Sequence, residues 1–130
     1  MPDSVARFLS HPCTLLLFGG GLGTNARYWL GVWFVARGWS AHFPWHTFWI
    51  NVAGSFLLGV VGMACRDEDR RTWFLLLGTG FCGGFTTFST FSIETLGMLE
   101  KGRTAAAFAY VLGSFLAGLF GAWAGVKLMK

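Results

Sequence analysis

Residues 78–94 alternate glycine, phenylalanine and hydroxyl side chains within one apolar segment. Phe85, Phe88 and Phe91 recur at intervals of three. Hydroxyl side chains separate these rings, namely Thr86, Thr87, Ser89, Thr90 and Ser92. An aromatic ring has a positive edge, so ring edges beside hydroxyl donors can replace the water around a small anion. The stretch therefore favours a dehydrated anion over a cation as the species bound along the phenylalanines.

The composition predicts a membrane protein. The 130 residues are 54% hydrophobic and only 12% charged, against roughly 25% charged in ordinary soluble domains. Glycine and tryptophan are abundant, as in membrane helices and at membrane interfaces. The length allows a single domain over 1–130. The net charge of +4 comes mostly from short gaps between apolar runs, so nucleic acid is not expected as a partner, and an enzyme is not expected either.

Four apolar segments predict an all-α chain with four transmembrane helices, at about 13–36, 46–65, 72–99 and 104–126. A spanning helix needs about 20 residues. The third segment is longer than that and carries glycines at 78, 80, 83 and 84, so two half-helices that meet near 83–86 are expected. The fourth carries small residues at every fourth position, Gly113, Ala117, Gly121 and Gly125. Such ladders let helices approach closely in lipid, and we expect a second subunit to cover this face.

A helix break at membrane depth is tolerated only where the backbone is buried in protein or lines a cavity. Carbonyl groups freed at Gly83 and Thr86 are therefore candidates to coordinate a cation, as unwound segments do in transporters. The alternative is a glycine kink whose backbone is satisfied by neighbouring hydroxyls. The glycines alone leave both interpretations open.

Five polar residues elsewhere in the apolar segments are further candidates. Asn51 offers amide donors to an ion or to a neighbouring helix. Arg27 either snorkels to the interface or draws anions into a water-filled vestibule. Glu94, about two turns past the break, is a candidate proton carrier, vestibule residue or partner for Arg27. Tyr110 and Ser114 share a helix face and either extend a polar track or bond between helices.

Three motifs in order resemble those of a known family, the Fluc (CrcB) fluoride channels. The family's signature is similar to residues 83–94, GGFTTFSTFSIE. Its first-helix motif resembles residues 20–28, GGLGTNARY, and its second-helix motif resembles residues 47–56, TFWINVAGSF. The resemblance covers essentially the whole chain.

The resemblance implies an antiparallel, dual-topology dimer with two fluoride pores in the bacterial inner membrane. By the family pattern, backbone oxygens of Gly83 and Thr86 from both subunits hold a central Na⁺, and no organic cofactor is expected. Phe88 and Phe91 contact fluoride, and Asn51 donates its amide. The polar-track candidates are Thr87, Ser89, Thr90, Tyr110 and Ser114, while Arg27 and Glu94 lie near the pore mouths. At Gly118 the chain lacks a hydroxyl with which the track would continue, so a contact there must come from elsewhere.

The partner subunit is either a second copy or a paired homologue. The side of the membrane that holds both predicted termini carries six basic residues, Arg7, Arg66, Arg70, Arg71, Lys127 and Lys130. The opposite side carries three, Arg37, Lys101 and Arg103. This bias favours cytoplasmic termini. A chain that inserts in both orientations shows almost no bias and a paired one shows a definite bias, so six against three leaves the choice open.

The implied function is passive fluoride export, which protects the cell from fluoride that enters as neutral HF and dissociates inside. A proton-coupled efflux transporter of the small multidrug type, using Glu94, is the alternative. The position of Glu94 beyond the break and the absence of an aromatic cage around an early-helix carboxylate count against it. A non-transporting membrane anchor subunit is a third possibility, and it gives no reason for a glycine break among hydroxyls.

Overall fold

The computed structural model describes residues 3–130, and this part of the chain is helical and contains no strand. The helices before the break are α1 (Asp3–Leu9), α2 (Pro12–Ala36), α3 (Trp45–Ala64), a 3-10 turn (Glu68–Arg70), α4 (Arg71–Trp73), a π-helix (Phe74–Cys82) and α5 (Gly83–Phe85). Two extended residues separate them from α6 (Phe88–Glu100) and α7 (Thr104–Leu128). The helix α1 precedes the first predicted helix, about 13–36, and was not expected from the apolar segments.

Three helical runs in the described part of the chain are long and apolar enough to cross a membrane. They are Trp45–Ala64, Glu68–Glu100 and Thr104–Leu128. The 25-residue helix α2 is not among the three. It carries Asn25 and Arg27 among its apolar residues, which lowers its hydropathy. The first of the four predicted spans, about 13–36, is therefore a helix of sufficient length but of lower apolar content.

Local sequence fixes where the long helices begin and end. Pro12 occupies the first turn of α2, where its missing N–H costs nothing. The Nδ1 atom of His11 accepts a hydrogen bond from the Cys13 N–H at 3.3 Å and caps that turn. Gly38 and Gly102 follow α2 and α6 with φ near +70°, the left-handed conformation that glycine adopts most readily.

Two helix pairs build the subunit, and glycine makes both contacts close. α2 packs along the π-helix and α5, while α3 packs along α7. A β-carbon at Gly23 would overlap the carbonyl oxygen of Phe81, and one at Gly125 would overlap that of Phe56. Because these approaches leave no room for any side chain, a substitution at either glycine forces the helices apart.

The α3–α7 contact corrects one expectation from the sequence. Gly121 and Gly125 of the small-residue ladder pack against the backbone of α3 inside the same subunit. The ladder predicted a close helix neighbour, which was expected in a second subunit, because spacing alone does not distinguish a contact within one chain from one between chains. A second subunit is therefore not needed to cover these two positions.

Candidate functional site

The backbone leaves helical geometry at Thr86 and Thr87. Thr86 has ψ of 160°, and Thr87 has φ of −151° and ψ of 117°. The side chain of Asn51, on α3, bridges this interruption with two hydrogen bonds to Thr87. Its Oδ1 accepts from the Thr87 N–H at 2.8 Å, and its Nδ2 donates to the Thr87 carbonyl at 3.1 Å. One amide therefore satisfies both backbone groups of the residue at the break.

These bonds take donors away from two carbonyl groups. In a continuous helix the Thr87 N–H would donate to the Gly83 carbonyl, but here it donates to Asn51. The Thr90 N–H would likewise donate to the Thr86 carbonyl, but here it donates to Thr87 Oγ1 at 3.2 Å. The carbonyls of Gly83 and Thr86 are thus the ones that lose their helical donors to side chains.

The carbonyl of Gly84, between them, has partners on α2. The Nε atom of Arg27 donates to it at 3.1 Å, and Thr24 Oγ1 donates at 3.4 Å. Arg27 therefore anchors α2 to the break, an arrangement that neither of the two sequence interpretations described. The predicted alternative of an Arg27–Glu94 pair is not what the structure has, because Glu94 has other partners.

A groove of about 890 Å³ runs along the break between α3, the broken run Glu68–Glu100 and α7. Its polar lining includes Asn51, Ser55, Thr79, Thr86, Thr87 and Ser114, together with Gly83 and Gly118. Phe88 and Phe91 also line it. Their ring centroids are 5.8 Å apart, and the Phe88 side chain is 80% exposed. Most of the residues predicted to handle ions therefore meet in one groove.

Some of the hydroxyls at and after the break form hydrogen bonds within α6, and others are exposed or line a cavity. Thr87 caps α6, since its Oγ1 accepts from the Thr90 N–H and also donates to Thr90 Oγ1 at 3.0 Å. Ser92 Oγ donates to the Phe88 carbonyl at 2.9 Å on its own helix. Ser89 is exposed, with its Oγ 3.4 Å from that of Thr87. Thr87 and Thr90 line a second, side cavity of about 480 Å³ that also contains Arg27.

Glu94 lies at the centre of a polar cluster beyond the groove. Tyr110, which is fully buried, donates its hydroxyl to Glu94 Oε2 at 2.7 Å. Thr47, only 1% exposed, donates to Oε1 at 2.8 Å. The Nε2 atom of His46 is 3.4 Å from the same Oε1. The ring of Phe91 lies 5.0 Å from that of Tyr110 and so joins the groove to this cluster.

An outer cavity of about 360 Å³ opens on the far side of Glu94. Its lining includes His42, His46, Lys101 and Arg103. Groove, polar cluster and outer cavity follow one another along α6, so the predicted residues are placed in series and not as one cluster.

Two hydroxyl groups in the groove complete the local geometry near Gly118. Ser114 Oγ is buried and has no hydrogen-bond partner in the described part of the chain. A β-carbon at Gly118 would lie 3.6 Å from Ser55 Oγ, an ordinary contact distance. A hydroxyl from α3 therefore stands where α7 has only a hydrogen atom.

Sequence reasoning missed Ser55, Thr47 and His46 as members of this arrangement. The spacing of four between Thr47, Asn51 and Ser55 places all three on one face of α3. That spacing is the signal that would have found two of them.

A known protein family matches most of the chain. The family described as "CrcB-like protein, Camphor Resistance (CrcB)" matches residues 14–126. The chain belongs to the CrcB family. The match covers both partners of the break, Asn51 and Thr87, and the whole groove.

Curated relatives of this CrcB chain are named fluoride-specific ion channel FluC. The protein from Oceanobacillus iheyensis is 45% identical over 117 residues, covering 88% of each chain. The protein from Gloeobacter violaceus is 46% identical, covering 89% of this chain and 94% of its own. The protein from Leptospira interrogans is 46% identical, covering 89% and 92%. With its long apolar helices, this CrcB chain is a multi-pass membrane protein.

Replacing Asn51 by alanine is expected to destabilise the fold, because both backbone groups of Thr87 lose their partner at about 1–3 kcal/mol each. Asn25→Ala is the matched control, since the Asn25 amide is exposed and bonds only to Gly21 on its own helix. Thermal unfolding in detergent, followed by tryptophan fluorescence, should show a clear drop in Tm for Asn51→Ala only. Equal shifts in the two variants would contradict the bridging role of Asn51.

Proposed function

We propose that this chain is a subunit of a fluoride-selective channel that exports cytoplasmic F⁻ passively across the bacterial inner membrane. The names of the relatives support fluoride as the ion. The observation that carries the mechanism is the groove, where two phenylalanine rings, the Asn51 amide and the unpartnered Ser114 hydroxyl line one space. These groups bind a small anion without any fixed positive charge.

Selectivity follows from how the groove replaces water. Fluoride gives up strong hydrogen bonds when it leaves water, so a permeant path must supply donors along its length. The Asn51 amide has two N–H groups, and only one is used by the Thr87 carbonyl. Ser114 Oγ is unpaired, and the edges of Phe88 and Phe91 offer their positive rims. Weak, distributed contacts of this kind let the ion move on instead of trapping it.

The path continues from Phe91 past the polar cluster to the outer cavity. Tyr110 and Thr47 both donate to the Glu94 carboxylate, which partly offsets its charge. Lys101 and Arg103, at the lining of the outer cavity, raise the local concentration of anions. Arg27 does the same for the side cavity, where Thr87 and Thr90 supply hydroxyls.

The channel is an antiparallel dimer whose subunits each cross the membrane four times. The helix α2 and the three long apolar runs are the four spans, and the break lies at membrane depth. A groove of about 890 Å³ is too wide to dehydrate one ion, and a second subunit narrows it. The Phe88 ring is 80% exposed in the single subunit and gains contacts in the dimer. Whether the partner is an identical copy or a homologue follows from topology, not from these contacts.

A central Na⁺ fits the carbonyl groups of Gly83 and Thr86. Both residues line the groove, and both carbonyls have lost their helical donors. Neutral oxygen ligands are those that hard cations prefer. Two such oxygens are too few for a site, so the same pair from a second subunit is required. The ion would hold the two breaks together and supply positive charge between the two pores.

Ser55 takes the place of the hydroxyl that α7 lacks at Gly118. Its Oγ reaches the space beside Gly118, and both residues line the groove with Ser114. A hydroxyl on α3 therefore serves the same stretch of the path as one on α7 would. The polar track therefore remains continuous, with its hydroxyl at this point supplied by α3 and not by α7.

Removing Na⁺ is expected to weaken the dimer, because the four carbonyl groups would then face one another without a cation. The test is size exclusion with light scattering in detergent, comparing NaCl with N-methylglucamine chloride at equal ionic strength. The dimer peak should shrink and its Tm should fall in the Na⁺-free buffer. An unchanged dimer in both buffers would contradict a structural Na⁺.

Replacing both Phe88 and Phe91 by isoleucine is expected to lower fluoride efflux from proteoliposomes by at least about tenfold, as ring-edge contacts are worth on the order of 1 kcal/mol each. The matched control exchanges Phe108 and Phe120, two exposed rings on α7, in the same way. Efflux read with a fluoride electrode should persist in the control, and both proteins should remain dimers. Retained efflux in the Phe88/Phe91 variant would remove these rings from the pore and the proposed mechanism with them.

Ser55→Ala is expected to reduce fluoride efflux, and the added change Gly118→Ser is expected to restore it. The reason is that Ser55 Oγ lies 3.6 Å from where a β-carbon at Gly118 would be, so a hydroxyl on either residue serves the same part of the groove. Gly118→Ser alone serves as the control for crowding. The proposal that the Ser55 hydroxyl replaces one at position 118 would be contradicted if the double variant conducted no better than Ser55→Ala.

A further inference from the structure

His46 joins the polar cluster to two cavities. It lies in the first turn of α3, and its side chain is 24% exposed against 19% for Glu94. Its Nε2 atom is 3.4 Å from Glu94 Oε1, and its Nδ1 atom is 2.9 Å from Ser40 Oγ. Whichever nitrogen carries the proton in the neutral ring, the protonated ring donates from both. The imidazole is thus held in place to act on the Glu94 carboxylate.

Several of the other polar and charged side chains around His46 and Glu94 already have hydrogen-bond partners. The Glu94 carboxylate accepts hydrogen bonds from the neutral hydroxyls of Thr47 and of Tyr110 on α7. The titratable and charged side chains around His46, from the loops, α2, α6 and α7, are His42, Lys101, Arg103, Arg27, Tyr28, Tyr110 and Glu94. Arg27 is bound to the Gly84 carbonyl, and Arg103 is bound to the carbonyl of His42. His46 is the one among them whose cationic form lies within 4 Å of the carboxylate.

We infer that His46 makes fluoride conduction depend on pH by setting the net charge beside Glu94. This inference rests on the proposed fluoride-channel function. Histidine changes charge between about pH 5 and pH 8. When His46 is protonated, its charge offsets that of the carboxylate, and an anion passes the cluster at a lower electrostatic barrier. When His46 is neutral, the carboxylate charge opposes the anion, and conduction falls.

Fluoride efflux is therefore expected to be faster at acidic pH than at alkaline pH. A cell in an acidic medium takes up fluoride as neutral HF, and the device would open the path when that uptake is greatest. The effect is expected to be modest, because water partly screens an ion pair whose side chains are 24% and 19% exposed.

The test compares fluoride efflux from proteoliposomes at about pH 6 and about pH 8, equal on both sides of the membrane, with protein-free leak subtracted. The wild-type rate should be about threefold higher at the lower pH, the scale expected of an ion pair that is partly exposed. His46→Gln should show the slow rate at both values, and His46→Lys, with a permanent charge, should show the fast rate at both. His42→Gln is the matched control, a histidine of the same outer cavity, and it should keep the wild-type ratio.

The outcomes separate the inference from the function beneath it. Absence of fluoride efflux from the wild type at either pH would overturn both. Normal efflux with a ratio near one, or a ratio that survives in His46→Gln, would overturn only the role of His46. Equal losses in His46→Gln and His46→Lys at both pH values would assign His46 a purely structural role and overturn the inference in the same way.

Discussion

Everything near the groove depends on how the backbone at Thr86 and Thr87 is satisfied. A break inside an apolar segment leaves polar groups that lipid cannot serve, at a cost of several kcal/mol each. Asn51 serves both groups of Thr87, and Arg27 with Thr24 serves the Gly84 carbonyl. Because Asn51 takes the Thr87 N–H, the carbonyl of Gly83 is released. The residue that stabilises the break is thus also the residue that frees the Gly83 carbonyl from its helical donor.

The same interruption positions the aromatic rings. α6 restarts at Phe88 with Thr87 as its cap, so Phe88 and Phe91 lie one turn apart at the start of a new helix. Phe91 then contacts Tyr110, which holds Glu94 together with Thr47. The break, the pair of rings and the carboxylate cluster therefore follow one another along the chain from Thr86 to Glu94. Close glycine contacts between α3 and α7 keep the opposite wall of the groove in register.

The sequence predicted an all-helical chain because apolar runs in a membrane protein are long enough to span it as helices. The described residues contain no strand, and three of their helical runs are long and apolar enough to cross a membrane. It also singled out Asn51, Gly83, Thr86, Phe88 and Ser114, which meet in the groove. It did not predict that Asn51 bonds to Thr87, that Arg27 bonds to Gly84, or that His46 and Thr47 reach Glu94. Those contacts join residues from different helices, and neither periodicity nor a motif specifies which side chains meet.

The central claim is that this groove, once closed by a second subunit, passes fluoride and rejects chloride. The most direct measurement is the release of each anion from liposomes that contain the purified protein, with no proton gradient applied. The account predicts rapid and complete loss of fluoride from protein-containing vesicles while chloride stays trapped. Equal release of both anions, or fluoride release only when a proton gradient is imposed, would contradict it.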